Sequence, residues 1–424
     1  MNPALGTPVD FLVEADRVGN GLCREALWSG ARCTWLGWTL QPDASGRPTP
    51  SYRSFGADLY EGTLGVALFL ARLHAHTGDK RQRRAAIGAL NQALAVDLDQ
   101  GPRGFYSGVA GHIYALLELG HALEDVGLHQ RVAIACERLR LAAADAWDFD
   151  VMDGSAGVIP VLLAAAETLG RDDLVERAAE HGAFLIDAAR VSDDGVAWPS
   201  PTDPGDAPLL GFSHGASGVA WALAELHAVT GAPGPAHAAR EAARYERAHF
   251  DARAGNWPDR RAWVVATEGQ PGSMLAWCHG APGIGLARLG MLSCVGEDAD
   301  LREDLERALV ATSASLVGSA EGPDHSLCHG TFGVAELLLL AATQLDRPAL
   351  RREAEAHAEA AIAHASRGHA WGCGVPGGWA APGLMLGWAG IGNFLLRLVD
   401  HSVPSPLLPC DPLTRRHRRD DSDR

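Results

Sequence analysis

Basic charge is what this chain has too little of: 36 Lys and Arg stand against 52 Asp and Glu, a formal net charge of -16. That balance argues against nucleic acid as a partner, because phosphate contacts supply most of such affinity and need clustered cations. The one basic cluster, Arg415-Arg416-His417-Arg418-Arg419, runs straight into Asp420-Asp421 and reads as part of a disordered, charged tail over 411–424. Long apolar runs are missing as well. Stretches such as Val334 to Leu345 are interrupted by charge and fall short of the roughly 18 residues that a membrane span requires. No secretory segment is visible either, since Asp10, Glu14 and Asp16 stand where its apolar core would have to be. These absences predict a cytoplasmic protein with no membrane span. Eight cysteines spread over 424 residues are more natural there as thiols or metal ligands than as a disulfide scaffold.

Runs of Val, Ile or Tyr alternating with polar residues are scarce, while Ala is abundant, which favours an all-α chain. What the chain does have is a cassette that recurs seven times, two glycines three residues apart followed by an apolar run of helix length. The pairs are Gly62/Gly65, Gly108/Gly111, Gly154/Gly157, Gly215/Gly218, Gly280/Gly283, Gly330/Gly333 and Gly387/Gly390. The two residues before each first glycine read Tyr60-Glu61, Tyr106-Ser107, Met152-Asp153, Ser213-His214, Cys278-His279, Cys328-His329 and Met385-Leu386. A repeat delivers equivalent positions to equivalent places in space, so residues far apart in sequence can meet.

Successive cassettes are 46 to 65 residues apart, enough for two helices and their connections. The segment after each glycine pair, Val66 to Leu73 for example, is apolar nearly all round and must be buried on most of its surface. Between these lie one-sided, Arg/Glu/Ala-rich segments: Lys80 to Leu98, Leu128 to Ala146, Asp172 to Arg190, Pro235 to Phe250, Leu301 to Leu316 and Ala349 to Ala365. The alternation predicts two concentric rings of seven helices each, the apolar set inside, which is an α/α toroid. Residues 1–54 read as an N-terminal extension, an amphipathic stretch from Val9 to Trp28 followed by a polar loop from Gln41 to Ser54, and 55–410 as the toroid domain. The glycines alone speak for close packing and carry no chemistry.

The chemistry lies just before the inner helices, where unsatisfied backbone N–H groups and the helix dipole favour thiolates and carboxylates. Cys278 and Cys328 hold this place in consecutive repeats, each followed by a histidine, His279 and His329. Two cysteines with one or two histidines are a soft donor set suited to Zn²⁺, and three protein ligands would leave a position open for substrate. Adjacent residues rarely both reach one metal, so spacing leaves the choice of histidine open. The remaining cysteines, Cys23, Cys33, Cys136, Cys294, Cys373 and Cys410, have no matching partner and read as structural thiols. His214, one repeat earlier at the same rim, is a candidate acid/base, a packed histidine being the alternative. Asp150 and Asp153, one repeat earlier still, could orient it or carry a proton.

Five stretches, Asp58 to Gly65, Gly211 to Gly215, Trp277 to Gly285, Leu327 to Gly330 and Pro382 to Gly392, together resemble the lanthionine synthetase C-like cyclase family. The wording is most similar to the cyclase half of the bifunctional synthetases, without the dehydratase half that precedes it there. The resemblance implies an α/α toroid with a catalytic zinc held by Cys278, Cys328 and His329, and with His214 and Asp150 as the acid/base candidates. It also implies a dehydrated precursor peptide as substrate, a separate dehydratase as partner, and a reaction that adds peptide cysteine thiolates to dehydroalanine or dehydrobutyrine. One departure stands out: some stand-alone cyclases carry an arginine just before the first cysteine, where this chain has Ser273-Met274-Leu275-Ala276, so the proton route is expected to differ. Two other readings compete. A zinc prenyltransferase subunit would show an Asp/Cys/His ligand set, and a zinc-bearing thiol- or glutathione-binding scaffold would lose nothing on replacement of His214.

Overall fold

The computed structural model describes residues 9–43, 47–96, 102–141, 148–200, 207–322, 324–368 and 370–408. The tail at 411–424 and Cys410 lie outside them. Helix α1 (Phe11–Glu25) precedes two hairpins, β1 (Leu27–Ser29) with β2 (Arg32–Thr34) and β3 (Leu36–Pro42) with β4 (Pro48–Ser54). Helices then alternate as α2 (Thr63–Thr77), α3 (Lys80–Ala93), α4 (Val109–Ala122), α5 (Leu128–Cys136), α6 (Ser155–Leu169) and α7 (Asp172–Ala188). A small hairpin, β5 (Arg190–Ser192) with β6 (Gly195–Ala197), leads to α8 (Ala216–Thr230), α9 (Pro233–Ala248) and the short α10 (Ala262–Glu268). The chain continues through α11 (Ala281–Val295), α12 (Ala299–Leu316), α13 (Thr331–Gln344), α14 (Pro348–Ser366) and α15 (Trp388–Val399).

Helices α2, α4, α6, α8, α11, α13 and α15 touch in that order and α15 returns to α2, closing an inner ring. Each carries an outer helix on its back: α3 on α2, α5 on α4, α7 on α6, α9 on α8, α12 on α11 and α14 on α13. The seventh outer position, over α15, is filled by α1 from the other end of the sequence. The protein is an α/α toroid. The amphipathic stretch that the sequence set apart as an extension thus packs as an outer helix, burying Ala15, Val18 and Leu22. The 41–54 segment also differs from the loop expected of it, pairing instead as the antiparallel ladder β3–β4 from Leu36↔Ser54 to Pro42↔Pro48. Its turn-forming residues sit among Thr39, Thr49, Tyr52 and other good strand formers, and the ladder hydrogen bonds decided the outcome.

Each inner helix starts with the first glycine of its pair as N-cap and has no side-chain cap. The loop before it folds across the first helical turn, so a β-carbon on the second glycine would strike a loop carbonyl, that of Trp277 at Gly283 and of Leu327 at Gly333. This close approach is why the motif is Gly-x-x-Gly rather than a single glycine.

The loops are joined to one another by backbone hydrogen bonds that run right round the ring. Tyr60 N–H donates to Tyr106 C=O at 3.1 Å, Tyr106 to Met152 at 3.1 Å, Val151 to Ser213 at 3.2 Å and Ser213 to Cys278 at 3.3 Å. Cys278 donates to Cys328 at 3.4 Å, Cys328 to Met385 at 2.9 Å, and Met385 back to Tyr60 at 2.8 Å. These are the residues two before each first glycine, with Val151 as donor standing one place early. The repeated column of the sequence is therefore a closed circle in space.

The ring has no empty bore. Residues 403–408 run through it, buried, without regular structure. Such backbone is tolerated inside a protein only when its polar groups are satisfied. Arg397 donates to the Val403 carbonyl, Arg72 to that of Pro404 (3.1 Å), the Tyr106 hydroxyl to that of Pro406 (2.7 Å) and the Trp277 indole to that of Leu407 (3.0 Å). Prolines at 404 and 406 remove two N–H donors that would need acceptors. A second buried polar cluster ties the rings together: Arg288 on α11 meets Glu246 on α9 at 2.9 Å and Asp304 on α12 at 3.2 Å, all three fully buried.

Candidate active site

The circle of loops brings Cys278, Cys328 and His329 together, with one ligand atom from each lying within 4.8 Å of the others. Both cysteines are buried, and His329 is half-buried at the wall of a cavity of about 620 Å³. The His329 ring Nε2 lies 2.9 Å from the Gly374 carbonyl and 3.6 Å from Asp324 Oδ2. Those acceptors place the proton on Nε2 and leave Nδ1 as the lone-pair nitrogen. The two thiols are hydrogen-bonded to each other and share a proton. Cys278 is pulled down to about 6 by the hydrogen bond from Cys328, assisted by His329, Arg261 and His214, while Cys328 is held well above the ordinary thiol range by its bond to Cys278 and by burial. Two thiols, one of them ready to ionise, beside an imidazole nitrogen form a donor set that fits Zn²⁺.

His279 lines the same cavity without joining the thiols. It is outside the group that could hold a metal, and burial together with the nearby Arg261 pushes it down to about 3, so it is neutral. The backbone explains the divergence of the two adjacent residues: Gly280 has φ +89°, unlike the six other N-cap glycines, and Gly211 (φ +104°) lets its loop pass against the Cys278 carbonyl and the His279 α-carbon. The Cys278 loop is clamped from both sides by Asn256, whose amide donates to Met274 C=O at 2.9 Å and accepts from Ala281 N–H at 2.8 Å.

His214 lines the same cavity, and its Nδ1 lies 2.6 Å from Asp150 Oδ2. Asp150 is itself buried and takes the Asp153 amide on its other oxygen at 2.8 Å. Burial disfavours the His214 imidazolium, but the charge and hydrogen bond of Asp150 outweigh it and hold His214 above its ordinary value. With Nδ1–H committed to the carboxylate, Nε2 is the nitrogen free to exchange a proton. The loop that carries His214 is pinned by Glu246, which accepts from Gly211 N–H at 2.8 Å and Ser217 N–H at 3.1 Å. Asp153 also lines the cavity, hydrogen-bonded to the Ser107 hydroxyl and not to His214.

Three more residues shape the site and were not singled out by motif. The Tyr60 hydroxyl is hydrogen-bonded to Cys328 and Tyr60 lines the cavity. Its signal was present in the sequence, since Tyr60 holds the same place before its glycine as Cys278 and Cys328 do before theirs. Arg261 enters from a segment outside any cassette, fixed by a two-pronged ion pair to Asp259 (2.6 and 3.0 Å), and its guanidinium lies 3.4 Å from the Met274 sulfur. An arginine thus reaches the cavity next to the Ser273-Met274-Leu275-Ala276 stretch that lacks one, and no spacing rule would have found it. Gly374 completes the group by leaving room for His329, while Cys373 beside it lines the cavity with its thiol pushed up to about 12 by burial.

Nisin cyclase is similar in structure, with a TM-score of 0.62 at 17% identity, covering 86% of this chain and 95% of that one. The GH76 alpha-mannanase of Bacteroides thetaiotaomicron covers 93% of this chain and 96% of its own at a TM-score of 0.48 and 8% identity. No curated protein shows significant sequence similarity. The family model described as lanthionine synthetase C-like protein matches residues 53–408, nearly the whole of the described toroid. The chain belongs to the lanthionine synthetase C-like family.

Proposed function

We propose that the protein is a lanthipeptide cyclase that adds a peptide cysteine across the double bond of a dehydroalanine or dehydrobutyrine in the same peptide. The observation that carries this reading is the His214–Asp150 pair at 2.6 Å on the wall of the cavity that also holds Cys278, Cys328 and His329. In the reaction the substrate thiol loses its proton to solvent and its sulfur bonds the β-carbon. The π electrons move to the α-carbon and its carbonyl, giving an enolate, and one proton on the α-carbon completes a thioether. No oxidant or reductant is needed.

Cys278, Cys328 and His329 would hold the zinc, which when bound supplies a Lewis acid that keeps an incoming thiol ionised at neutral pH. Gly374 and Asp324 orient His329 for that task. His214, kept protonated by Asp150, is placed as the general acid that delivers the α-carbon proton through Nε2. Arg261 gives the cavity a fixed positive charge toward an enolate oxygen, where a preorganised cation is worth most. The cyclase unit is taken as the 55–410 toroid together with α1, which fills its seventh outer position, and β3–β4, which lines its cavity. A dehydration of peptide serines and threonines, by a separate dehydratase, would have to supply the substrate. No helix among the described residues is long and apolar enough to cross a membrane, and we place the reaction in the cytoplasm.

The test is to incubate the protein with a synthetic peptide that carries one dehydroalanine and one cysteine, then alkylate free thiols and weigh the product. Loss of the alkylatable thiol without change of mass before alkylation is the expected result. A thiol count that stays at its starting value would leave the zinc-bearing thiol-binding scaffold as the reading.

A further inference from the structure

The β3–β4 hairpin is built inside out. Its inward positions are small or polar: Gly37, where a β-carbon would strike Pro382, the buried Thr39, and Gln41, whose amide lies 3.5 Å from Glu61. Its outward positions are the large apolar ones, with Leu36 45% and Tyr52 57% exposed and the Trp38 ring between them, edge-on to Tyr52 at 5.4 Å. Trp379, 44% exposed, extends the patch from the other side, its ring 4.1 Å from that of Trp38. A strand in a soluble protein ordinarily turns its apolar face to the core, and contiguous exposed aromatics mark a binding surface.

The patch has a direction. Leu40 and Pro48, on the same face of the ladder as Trp38 and Tyr52, line the cavity that holds Cys278, Cys328, His329 and His214. The loop that ends in Trp379 lines it too, through Val375 and Pro376. The platform and the cavity are one continuous surface, apolar at the rim and carrying the thiols and imidazoles further in. A chain whose reactive side chain reaches the thiols must pass over this rim, with its neighbours lying on the aromatic rings.

We infer that the outward face of β3–β4 together with Trp379 is the docking platform for the substrate peptide, and that it selects peptides with Leu, Phe or other apolar residues flanking the reacting cysteine. The inference rests on the cyclase reading for the identity of its occupant. Tyr and Trp suit such a role because they present large, stiff, partly polar surfaces at low entropic cost.

The experiment uses the full chain and two fluorescein-labelled synthetic peptides, each with one dehydroalanine and one cysteine, flanked in one case by Leu and Phe and in the other by Ser and Asn. Anisotropy should show the apolar peptide bound more tightly, and Tyr52→Ser combined with Trp379→Ser should weaken it about tenfold, to the level of the polar peptide. Both positions are at the surface, and an unchanged melting temperature of the variant secures the comparison. Equal affinity of the apolar peptide for wild type and variant would overturn the platform. A concentration-dependent dimer that the variant abolishes would overturn it too, by assigning the face to a second copy of the chain. Platform-dependent binding of a peptide that never closes a ring would instead uphold the platform and remove the cyclase reading.

Discussion

The backbone amide of Cys278 donates to the carbonyl of Cys328 across 3.4 Å, although the two residues stand fifty positions apart in the chain. This bond, one step of the circle of loops, holds the two cysteine backbones side by side, with their thiols near enough to hydrogen-bond. The site is preorganised by main chain, and its ligands are not asked to assemble it.

A purified preparation should accordingly hold about one zinc per chain, and Cys278→Ala, Cys328→Ala and His329→Ala should each remove most of it. Metal analysis decides. Chelation should abolish ring formation and leave the helical circular dichroism in place, because the seven inner helices bury far more apolar surface than one ion could replace. Collapse of that signal would make the metal structural.

His214→Asn should keep zinc but lose roughly 10²–10⁴ in turnover, the usual worth of a general acid. A rate within a few-fold of wild type would take His214 out of the mechanism.

Asp150→Asn should move the pH profile. His214 is held above its ordinary value in the folded protein, so kcat/KM should fall as pH rises through that higher value. Removing the carboxylate takes away the largest influences that oppose burial, leaving only the weaker ones of Asp153 and Cys278, and the alkaline limb should shift to lower pH. The same sign holds for folding: the pair's stabilisation is fully present below 6.5, the unfolded value, and is lost as pH rises through the folded one. An unmoved limb would detach Asp150 from the proton.

Arg261→Ala should lower turnover about 10²–10³-fold, the scale of a lost oxyanion partner, with Arg261→Lys recovering part of it. Zinc content is the control. A metal-free Arg261→Ala protein would show that the arginine supports the metal ligands and would remove it as the enolate's partner.

Arg288→Met should destabilise the fold by about 3–5 kcal/mol in urea, since Glu246 would then be buried without its cation, while Asp304 keeps Arg247 at 3.0 Å. Because Glu246 also pins the His214 loop, activity should fall further than the folded fraction does.

The ring was legible because it is periodic. Gly-x-x-Gly and the apolar run after it mark every inner helix, and the column before the glycines names the residues that bond in a circle. What eluded the sequence was whatever lies outside that period. Helix α1 has no cassette to tie it to α15, and nothing local says that an amphipathic N-terminal stretch will cross to the last helix. The strand character of residues 48–54 is hidden by Pro48 and Pro50, which elsewhere would signal a turn. Arg261 arrives by tertiary packing alone. The separation of His279 from His329 depends on a positive φ at Gly280, and glycines carry no label for which of them adopts it.

The pairing of α1 with α15, and the buried run of 403–408 along the axis, make this a molecule whose first and last described elements need each other. Half a toroid has two raw apolar flanks and an unfilled middle. While the polypeptide emerges from the ribosome, nothing upstream of residue 388 can seal the circle, and α2 and α13, the two helices that α15 joins, each wait with an uncovered flank. Contacts this distant in sequence carry the largest loop-closure cost and the slowest search. A nascent chain of this protein should therefore stay accessible to chaperones and proteases until nearly all of it has been synthesised, and then gain protection in one late, concerted step.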